Sequence, residues 1–345
     1  MAPKRIRTME EFAEFVGLSR PTVSKFFHDP LSVRATTRTR IEGALAVSNF
    51  RPNLFAVNLN RQQAKIIGLI VPDRVDPFYM GLTRQIEERA ASAGYLAFTL
   101  SSDGRPERED EAIRTFASLN VSGAIIVPLG PTSHAKTIRS LGETIPLVFV
   151  DSRLDSEGPF VGTDNYNSVL IITDYLTRSG SAPTYFGMPG VNTNAAERRQ
   201  AYISAMEKLR REPQIAPLSP KSTWNFEQYA FDEALRILRS SGFATNTVLC
   251  ANDRVAYGVL AAAYHMQLRV GIGAEYDLRV AGHDNHPLSA FSCPPLTTVA
   301  QNDREIAATA TDLLFRNIEV AKTDASKIAR DCVLLGAELK MRESA

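Results

Sequence analysis

The stretch TMEEFAEFVGLSRPTVSKFFH, residues 8–28, carries the local signals that decide the fold at the start of the 345-residue chain. Thr8, followed three residues later by Glu11, forms a capping-box pattern that predicts the start of a helix. Four apolar side chains then recur at helical spacing on one face: Met9, Phe12, Ala13 and Val16. Gly17 predicts a break in this helix, and Ser19 is a good cap for a second one.

The second helix is predicted to turn Val23, Phe26 and Phe27 toward a small core. Pro21 fits its first turn, where the backbone N–H has no partner within the helix. The outward-facing polar residues are Arg20, Thr22, Ser24 and Lys25. A third helix over roughly residues 37–48 completes the core with one apolar face. Two short helices joined through a glycine-containing turn describe a helix-turn-helix, although a generic helical hairpin with a polar surface fits the same residues.

The formal charge of the chain is +1, but the charges are unevenly distributed. Residues 1–65 contain eleven Lys and Arg against five Asp and Glu, a formal charge of +6, and the remaining 280 residues carry −5. Binding to nucleic-acid phosphates requires clustered Lys and Arg, so this asymmetry points to a polyanionic partner for the first 65 residues. An ordinary basic surface would give the same count.

The composition, 44% hydrophobic and 22% charged, is that of a folded chain with two or three packed units, and it excludes disordered, collagen-like and disulfide-scaffold classes. No apolar run approaches the roughly 18 to 20 residues that cross a bilayer, and the basic first residues do not lead into the apolar core of a secretion signal. Cys250, Cys293 and Cys332 are too widely spaced for a metal clip and are predicted to be buried free thiols. We therefore expect a cytoplasmic protein without a membrane partner.

From Ile66 onward, short apolar segments alternate with amphipathic helical ones, which predicts parallel sheets covered on both faces. The predicted strands are residues 66–71, 96–100, 124–127, 147–150, 184–187, 248–251 and 280–282. The predicted helices lie at about 78–93, 107–119, 167–179, 196–211, 227–240, 254–268 and 303–320. This order indicates an α/β unit that is distinct from the helical start of the chain.

The segment FRPNLFAVNL, residues 50–59, indicates a turn, a proline at a helix start and one short helix before the α/β unit. Together with residues 22–24 and 33–40, it resembles the LacI/GalR family of bacterial transcriptional repressors, and the resemblance covers essentially the whole chain. It implies a small all-α helix-turn-helix domain followed by an α/β periplasmic-binding-protein-like domain of two doubly wound parallel-sheet lobes. The implied function is a sequence-specific DNA-binding regulator, controlled by a small effector bound between the lobes.

The resemblance divides the chain into residues 1–50 for DNA binding, 51–65 for a hinge helix and linker, and 66–345 for effector binding and dimerisation. We expect the first lobe at about residues 66–163 and 299–322, and the second at about 164–298 and 323–341. The three crossings of the chain between the lobes are expected near residues 162–165, 294–298 and 321–324.

Positions carried over from the family give a set of expected DNA contacts. Arg20, Pro21 and Lys25 stand where the recognition helix of the family reads base edges, and Arg or Lys bound to guanine is the commonest such contact. Thr22 and Ser24 stand at phosphate-contacting positions. The set is completed by Thr37, Arg38 and Leu59. In the family, the residue at the position of Leu59 wedges into the minor groove and unstacks a base step. The alternative role for Leu59 is a core residue of a linker helix.

The effector residues implied by the resemblance lie on loops after predicted strands, at the edge where doubly wound sheets bind ligands. They are Asp76, Phe78, Asp151, Asn192, Arg198, Trp224, Asp253 and Gln301. Phe78 suits stacking on the apolar face of a sugar, the Arg198 fork suits vicinal hydroxyls or a carboxylate, and the Asp253 carboxylate is expected to accept two ligand hydroxyls. The alternative is a helix cap for Asp76, and an interlobe salt bridge or a helix cap for Arg198 and Asp253.

Two positions bear on the chemical class of the effector. Asn192 stands where family members that bind acids or purines often have an arginine, and an amide favours neutral, hydroxyl-rich ligands. We therefore expect a sugar or a sugar derivative. Trp224 lies in a loop where the family often places an aromatic residue against the ligand, but spacing does not distinguish it from Asn225 or Phe226.

The sequence lacks the motifs of common catalytic sites, among them a phosphate-binding loop, a Gly-x-Ser-x-Gly elbow and a His-Glu-x-x-His zinc site. The run HDNH, residues 283–286, superficially suggests metal binding, but it stands where the family has a loop after a strand. We expect no catalytic residue, no metal and no cofactor. The expected partners are double-stranded operator DNA, the effector and a second copy of the chain in a homodimer. A plain solute receptor and an α/β enzyme with an added DNA-binding domain are the rival functions.

Overall fold

The structure is a computed structural model that describes residues 6–28, 30–48, 50–51, 65–154 and 158–345. The chain divides into two compact units, Met1–Lys65 and Ile66–Ala345.

The helices of the first unit are α1 (Met9–Val16), α2 (Arg20–His28) and α3 (Ala35–Ser48). The predicted capping box is present, because the Thr8 hydroxyl accepts the backbone N–H of Glu11 at 3.1 Å and the Glu11 carboxylate accepts the N–H of Thr8 at 3.3 Å. The left-handed backbone of Gly17, with φ 67°, ends α1. The buried side chains form one core: Phe12, Ala13, Val16, Val23, Phe26, Ile41 and Phe50. The predicted helix-turn-helix is therefore confirmed.

The helices of the second unit are α4 (Pro77–Ser92), α5 (Pro106–Leu119), α6 (Ala135–Gly142), α7 (Asn165–Ser179), α8 (Thr193–Lys208), α9 (Phe226–Arg239), α10 (Asp253–His265) and α11 (Asp303–Ala321). Its strands are β1 (Ile66–Val71), β2 (Leu96–Ser101), β3 (Gly123–Ile126), β4 (Leu147–Val150), β5 (Phe160–Thr163), β6 (Thr184–Phe186), β7 (Gln214–Ile215), β8 (Thr247–Cys250), β9 (Arg279–Ala281), β10 (Thr298–Ala300), β11 (Cys332–Leu335) and β12 (Glu338–Lys340).

Lobe 1 is a parallel sheet in the order β11-β5-β4-β3-β1-β2. One face is covered by apolar side chains of α4 and α11, among them Leu82, Ile86 and Leu314. On the other face, the Phe116 ring of α5 lies directly over Gly68 of β1. The chain order reverses between β1 and β3, so the carboxyl ends of these strands flank a ligand-binding crevice of the doubly wound type.

Lobe 2 is a parallel sheet in the order β7-β6-β8-β9. α7 and α8 pack on one face, and α9 and α10 pack on the other. An antiparallel pair, β10 and β12, lies beside β9: Thr297 is bridged to Ala281 of β9, and Ala300 is bridged to Asp284 in the loop after it. The second crossing therefore lies after β10, and not near residues 294–298 as predicted. The expected fold class of two doubly wound lobes is confirmed.

The predicted lobe boundary at residues 323–341 is wrong. β11 pairs with β5 and is the edge strand of lobe 1, and the Asn317 side chain exchanges hydrogen bonds with Ala329 before it. The last crossing therefore lies between Leu335 and Glu338, where β11 ends and β12 begins, and not near residues 321–324. Sequence periodicity missed β11 because its four residues, CVLL, are all apolar and do not alternate with polar ones, although every second side chain is exposed.

Two further properties of the chain concern its thiols and its helices. Cys250 is buried as expected, but Cys293 and Cys332 are exposed, because one lies in a loop and the other on an edge strand. Within the described residues, the structure contains no helix with the length and apolar character needed to span a bilayer.

Candidate functional site

The loops after the strands of both lobes meet at a cleft inside the second unit. Its inner chamber is lined by seven of the eight expected effector residues, namely Asp76, Phe78, Asp151, Asn192, Arg198, Trp224 and Gln301. An outer chamber of about 200 Å³ shares some of these residues and includes Asp253. The inner chamber measures only about 30 Å³, enough for one or two water molecules, so a sugar-sized ligand requires the lobes to separate before it can bind there.

Asp151 is a buried acceptor at the inner end of the cleft, and it links the two lobes. The Tyr79 hydroxyl of lobe 1 donates to one carboxylate oxygen at 3.0 Å, and the Asn194 amide of lobe 2 donates to the other at 3.0 Å. Burial raises the pKa of Asp151 to about 6, although the positive charge of Arg198 opposes the shift. Its backbone is in the left-handed region with φ 62°, which Asp adopts more readily than most residues other than glycine.

Arg198 is the buried cation at the centre of the cleft. Its Nε donates to Asn165 Oδ1 at 3.1 Å, and its Nη1 donates to the Ala251 carbonyl at 2.8 Å. The same Nη1 lies 3.0 Å from Oδ1 of Asp284. The guanidinium is thus fixed between the carboxyl ends of several strands, with its charge balanced by Asp284 and, farther away, by Asp151.

Asp284 is a central cleft residue that the sequence did not identify. Its Oδ1 accepts the Gln301 amide at 2.7 Å and contacts His283 Nδ1 at 2.9 Å. Burial acts to raise the pKa of Asp284, but the Arg198 charge and these hydrogen bonds outweigh burial and lower it. Its φ of 116° is strained for a non-glycine residue, and strain of this kind concentrates at functional sites.

Asp253, which was expected to contact the effector, lines the outer chamber and is also held by the protein itself. Its carboxylate is fully buried and accepts three protein donors: Ser289 Oγ at 2.5 Å, Thr298 Oγ1 at 2.6 Å and the His286 N–H at 2.8 Å. These contacts tie the start of α10 to the loop after β9. Asn252, one residue earlier, lines the inner chamber and caps α10 by accepting the Val255 N–H at 2.8 Å.

Asp76 and Asn192 each cap a helix at the edge of the cleft. Asp76 accepts the Phe78 N–H at 2.9 Å at the start of α4, as the alternative interpretation predicted. Asn192 accepts the Ala195 N–H at 3.3 Å at the start of α8. Burial raises the pKa of Asp76, and the nearby Arg254 acts against that shift.

Trp224 lies in the loop before α9, and its ring is near the Phe226 ring, with the centroids 5.7 Å apart. Asn225 caps α9, which leaves the two aromatic side chains facing the inner chamber. Gly104 of lobe 1 lies so close to Cδ1 of Trp224 that a side chain at this position would collide with the ring. Trp224 therefore packs across the cleft, directly against the backbone of lobe 1.

Sequence reasoning missed four polar lining residues, Tyr79, Asn194, Asn252 and Asp284, and one apolar one, Met188. Asn252 and Asp284 adjoin residues that were considered, so spacing located the correct loops but not the side chain that faces the cleft. Tyr79 and Asn194 could have been predicted from their positions, since each is a polar residue in the first turn of a helix that follows a strand. His283 and His286 do not converge, because His283 contacts Ser168 and Asp284 while His286 contacts Tyr257.

The expected DNA-contacting residues that the structure describes lie on α2 and in the first turn of α3. Arg20, Pro21, Ser24 and Lys25 are exposed, and Thr22, Thr37 and Arg38 are half-buried. Arg20 forms an exposed ion pair with Glu10, with Nε and Oε1 2.8 Å apart. Exposed pairs of this kind contribute little energy, so Arg20 is free to bind another anion instead. Leu59 lies outside the described residues.

Two sections of the chain match known protein families. Residues 8–53 match the bacterial regulatory proteins of the lacI family, and residues 174–345 match the periplasmic binding protein-like domain. The ribose operon repressor of Bacillus subtilis (strain 168) is 27% identical over 337 residues, covering 97% of this chain and 99% of that protein. The repressor PurR of Histophilus somni (strain 2336) is 26% identical, covering 90% and 92%.

Solved structures share the fold over nearly the whole length. The lac repressor dimer bound to operator and the anti-inducer ONPF superposes with a TM-score of 0.82 at 23% identity, covering 98% of each chain. The regulator CelR in complex with cellobiose gives a TM-score of 0.70 at 19% identity, covering 99% of this chain and all of that one. The helix-turn-helix, the two-lobed unit and the full-length repressor relatives agree, and together they make the chain similar to the lacI family of bacterial regulatory proteins.

Proposed function

We propose that the protein is a sequence-specific transcriptional repressor whose first unit binds operator DNA and whose second unit binds a small, hydroxyl-rich effector. The observation that carries the proposal is the pairing, in one chain, of a helix-turn-helix with a cleft in which buried carboxylates and amides surround Arg198. Relatives that align over almost the full length are named as operon repressors, which supports the same role.

For DNA binding, we propose a homodimer that places two copies of α2 in successive major grooves, about 34 to 36 Å apart on a near-palindrome. Arg20 and Lys25 read base edges, with Pro21 beside them, while Thr22 and Ser24 contact phosphates. Thr37 and Arg38, at the start of α3, add to the contact surface. Leu59 enters the minor groove between the half-sites.

For the effector, the charges of the inner chamber favour a neutral polyol. Asp151 and Asp284 are acceptors for hydroxyl groups, and Arg198 is a donor whose charge is already balanced by these carboxylates. A phosphate or carboxylate on the effector would face two buried carboxylates and only one cation, which is unfavourable in a desolvated site. Phe78 and Trp224 supply faces on which a sugar ring stacks. We therefore propose a monosaccharide or a related sugar, and the names of the ribose repressor relatives agree with this class.

Control of DNA binding then requires that the effector bind one arrangement of the two lobes more tightly than the other. The roles proposed for the chain are binding roles, and we infer that it carries out no catalysis and acts in the cytoplasm. The sequence lacks the common catalytic motifs, and its aligned relatives are repressors by name.

A gel-shift titration over salt concentration tests DNA binding. Log affinity for an operator fragment should fall linearly with log salt, at about 0.9 per phosphate neutralised, and a chain lacking residues 1–60 should show no shift. A salt-independent shift, or equal binding after the deletion, would instead favour a solute receptor without a transcriptional role.

A thermal-shift screen tests the effector class. Neutral monosaccharides, their phosphates and their uronic acids are compared at equal concentration, because a bound ligand raises the melting temperature by mass action. We expect stabilisation by at least one neutral sugar and none by its phosphorylated form. Stabilisation by the anionic members alone would contradict the proposed class.

A further inference from the structure

Arg254 connects the two lobes across the mouth of the cleft. From the first turn of α10 in lobe 2, its Nη1 reaches Asp76 Oδ2 at 3.2 Å and Asp73 Oδ2 at 3.4 Å, both on the loop after β1 in lobe 1. Its other guanidinium nitrogens are held within lobe 2 by both carboxylate oxygens of Glu227, at 2.6 and 2.9 Å, and by the Trp224 carbonyl at 3.2 Å. The Arg254 side chain is only 13% exposed. These four charged residues, Arg254, Asp73, Asp76 and Glu227, are called the clasp below.

The clasp lies far from the segments that connect the two lobes, so its contacts strongly affect whether the cleft is closed. The chain crosses between the lobes after β5, after β10 and after β11, and β5 and β11 lie at one edge of the lobe 1 sheet. β1 lies four strands away from β11, near the opposite edge. The contacts of the loop after β1 are therefore far from the axis about which the lobes would rotate. A small opening angle moves these contacts apart by more than it moves contacts near the crossings.

The charge balance makes closure depend on a single side chain. Lobe 1 contributes two carboxylates to the clasp and lobe 2 contributes one, while Arg254 is the one cation that these three share. With the arginine present, each lobe is attracted to the same guanidinium. Without it, the largely covered Asp73 and Asp76 of lobe 1 face the partly exposed Glu227 of lobe 2 with no shared cation between them, and the interaction between these carboxylates becomes repulsive.

A natural reporter lies next to the clasp. Trp224 is the only tryptophan of the chain, its carbonyl accepts from Arg254, and its ring packs on Gly104 of lobe 1 after β2, the outermost strand of that sheet. Separation of the lobes removes this contact and exposes the Trp224 ring to solvent. Its fluorescence therefore reports closure without any label.

We propose that Arg254 is a positioning residue that holds the effector cleft closed by bridging Asp73 and Asp76 of lobe 1 to Glu227 of lobe 2. The proposal deepens the proposed function, because it assigns Asp76 to closure of the cleft rather than to the effector, and it makes release of the clasp the step that admits a ligand to the inner chamber. The geometry of the clasp itself concerns only the second unit, so it is tested without DNA and without an effector.

The test measures acrylamide quenching of Trp224 in the full-length protein. The variants are R254M, the pair D73N with D76N, and all three changes combined. Asparagine at both positions keeps the local hydrogen bonds that Asp73 and Asp76 accept from Val75 and Phe78. We expect the quenching constant to rise about twofold in R254M and also in the double variant, because each shifts the population toward separated lobes.

The combined variant and two controls make the result decisive. If the effect acts through the bridge, adding R254M to the double variant raises quenching by less than R254M does alone, since the shared interaction is already lost. R254K should restore part of the wild-type protection. R236Q, which removes an arginine of α9 that pairs with Glu233 inside lobe 2, should leave quenching unchanged.

Three outcomes would overturn the proposal: no change in any variant, a change in R254M but not in D73N/D76N, or an equal change in R236Q. The second outcome would show that Arg254 acts on Trp224 only locally, through its carbonyl. Circular dichroism spectra and melting curves identify a variant that has simply unfolded. Failure of the gel-shift experiment would not alter these results, so errors in the two proposals are distinguishable.

Discussion

Arg198 and Asp284, which come from α8 and from the loop after β9, form a buried ion pair with Nη1 and Oδ1 3.0 Å apart at the base of the cleft. The Asp284 side chain is about one-fifth exposed and the Arg198 side chain almost fully covered. Arg198 needs this partner because an isolated buried charge is costly, and Asp284 is held in a strained backbone to provide it.

Replacement of Asp284 by asparagine is predicted to lower stability and to abolish the response to the effector. The amide removes the negative charge next to Arg198, so we expect the free energy of unfolding to fall by roughly 3 kcal/mol, within the range for breaking a buried pair. Urea unfolding measures the loss, and effector titration of operator binding measures the response.

Asp277→Asn is the matched control for that substitution, since Asp277 pairs with Arg269 on the surface. We expect little change in stability and a normal effector response from the control. A normal response in D284N as well would remove Asp284 from the effector site.

The stability of the second unit is predicted to fall between pH 5 and pH 8 because of Asp253. Burial raises the pKa of Asp253 to about 7, against an ordinary value of 3.8. The folded state therefore binds the proton more tightly than the unfolded state, and this contribution is complete below pH 3.8 and is lost as the pH rises through 7. The loss between pH 5 and pH 8 amounts to roughly 2 to 3 kcal/mol.

Asp253→Asn isolates this contribution. The variant should be less stable overall, because Ser289, Thr298 and His286 lose a carboxylate acceptor, but its stability should depend less on pH over the same interval. Urea titrations at pH 5 and pH 8 give the free energy of unfolding at each pH. The difference between the two values is then compared between the variant and the wild type. Parallel curves for the variant and the wild type would place the pKa of Asp253 near its ordinary value.

The long elements were predictable because their patterns are strong. The fully buried run of β1 and the amphipathic face of α4 appear at the expected residues. β7 has only two residues, and the four residues of β11 are all apolar although every second one is exposed, so neither strand gives a detectable alternation in the sequence. The lobe boundary after residue 322 was wrong for the same reason, since β11 decides it.

The sequence predicted which loops form the candidate site but not which side chain of each loop faces the cleft. At Asn252 and Asp253, and again at His283 and Asp284, one of two adjacent residues faces the inner chamber. The choice depends on backbone angles, such as the φ of 116° at Asp284, that follow from tertiary packing rather than from local sequence. Likewise, Asp76 is half of an ion pair with Arg254, 178 residues away in sequence, which no local pattern could reveal.

Arg20→Ala is predicted to weaken operator binding by about 1 to 3 kcal/mol, roughly 5- to 150-fold, while binding to unrelated DNA changes much less. The reason is that Arg20 is exposed at the start of α2 and its partner Glu10 holds it only by a surface ion pair. Gel shifts with operator and scrambled duplexes measure both affinities. Arg178→Ala, which removes a surface arginine of α7, is the control and should leave both unchanged. Equal losses on the two duplexes would make Arg20 a phosphate contact.

Leu59→Ala is predicted to reduce affinity for the operator far more than affinity for non-specific DNA. The proposed wedge gains from base unstacking only where the duplex is bent at the centre of a specific site, so its removal leaves the phosphate contacts of the first unit intact. The slope of log affinity against log salt should therefore remain that of the wild type, whereas the bend angle, measured by circular-permutation gel shift, should decrease. Equal losses on both kinds of DNA with an unchanged bend would contradict the wedge and support the role of a linker core residue.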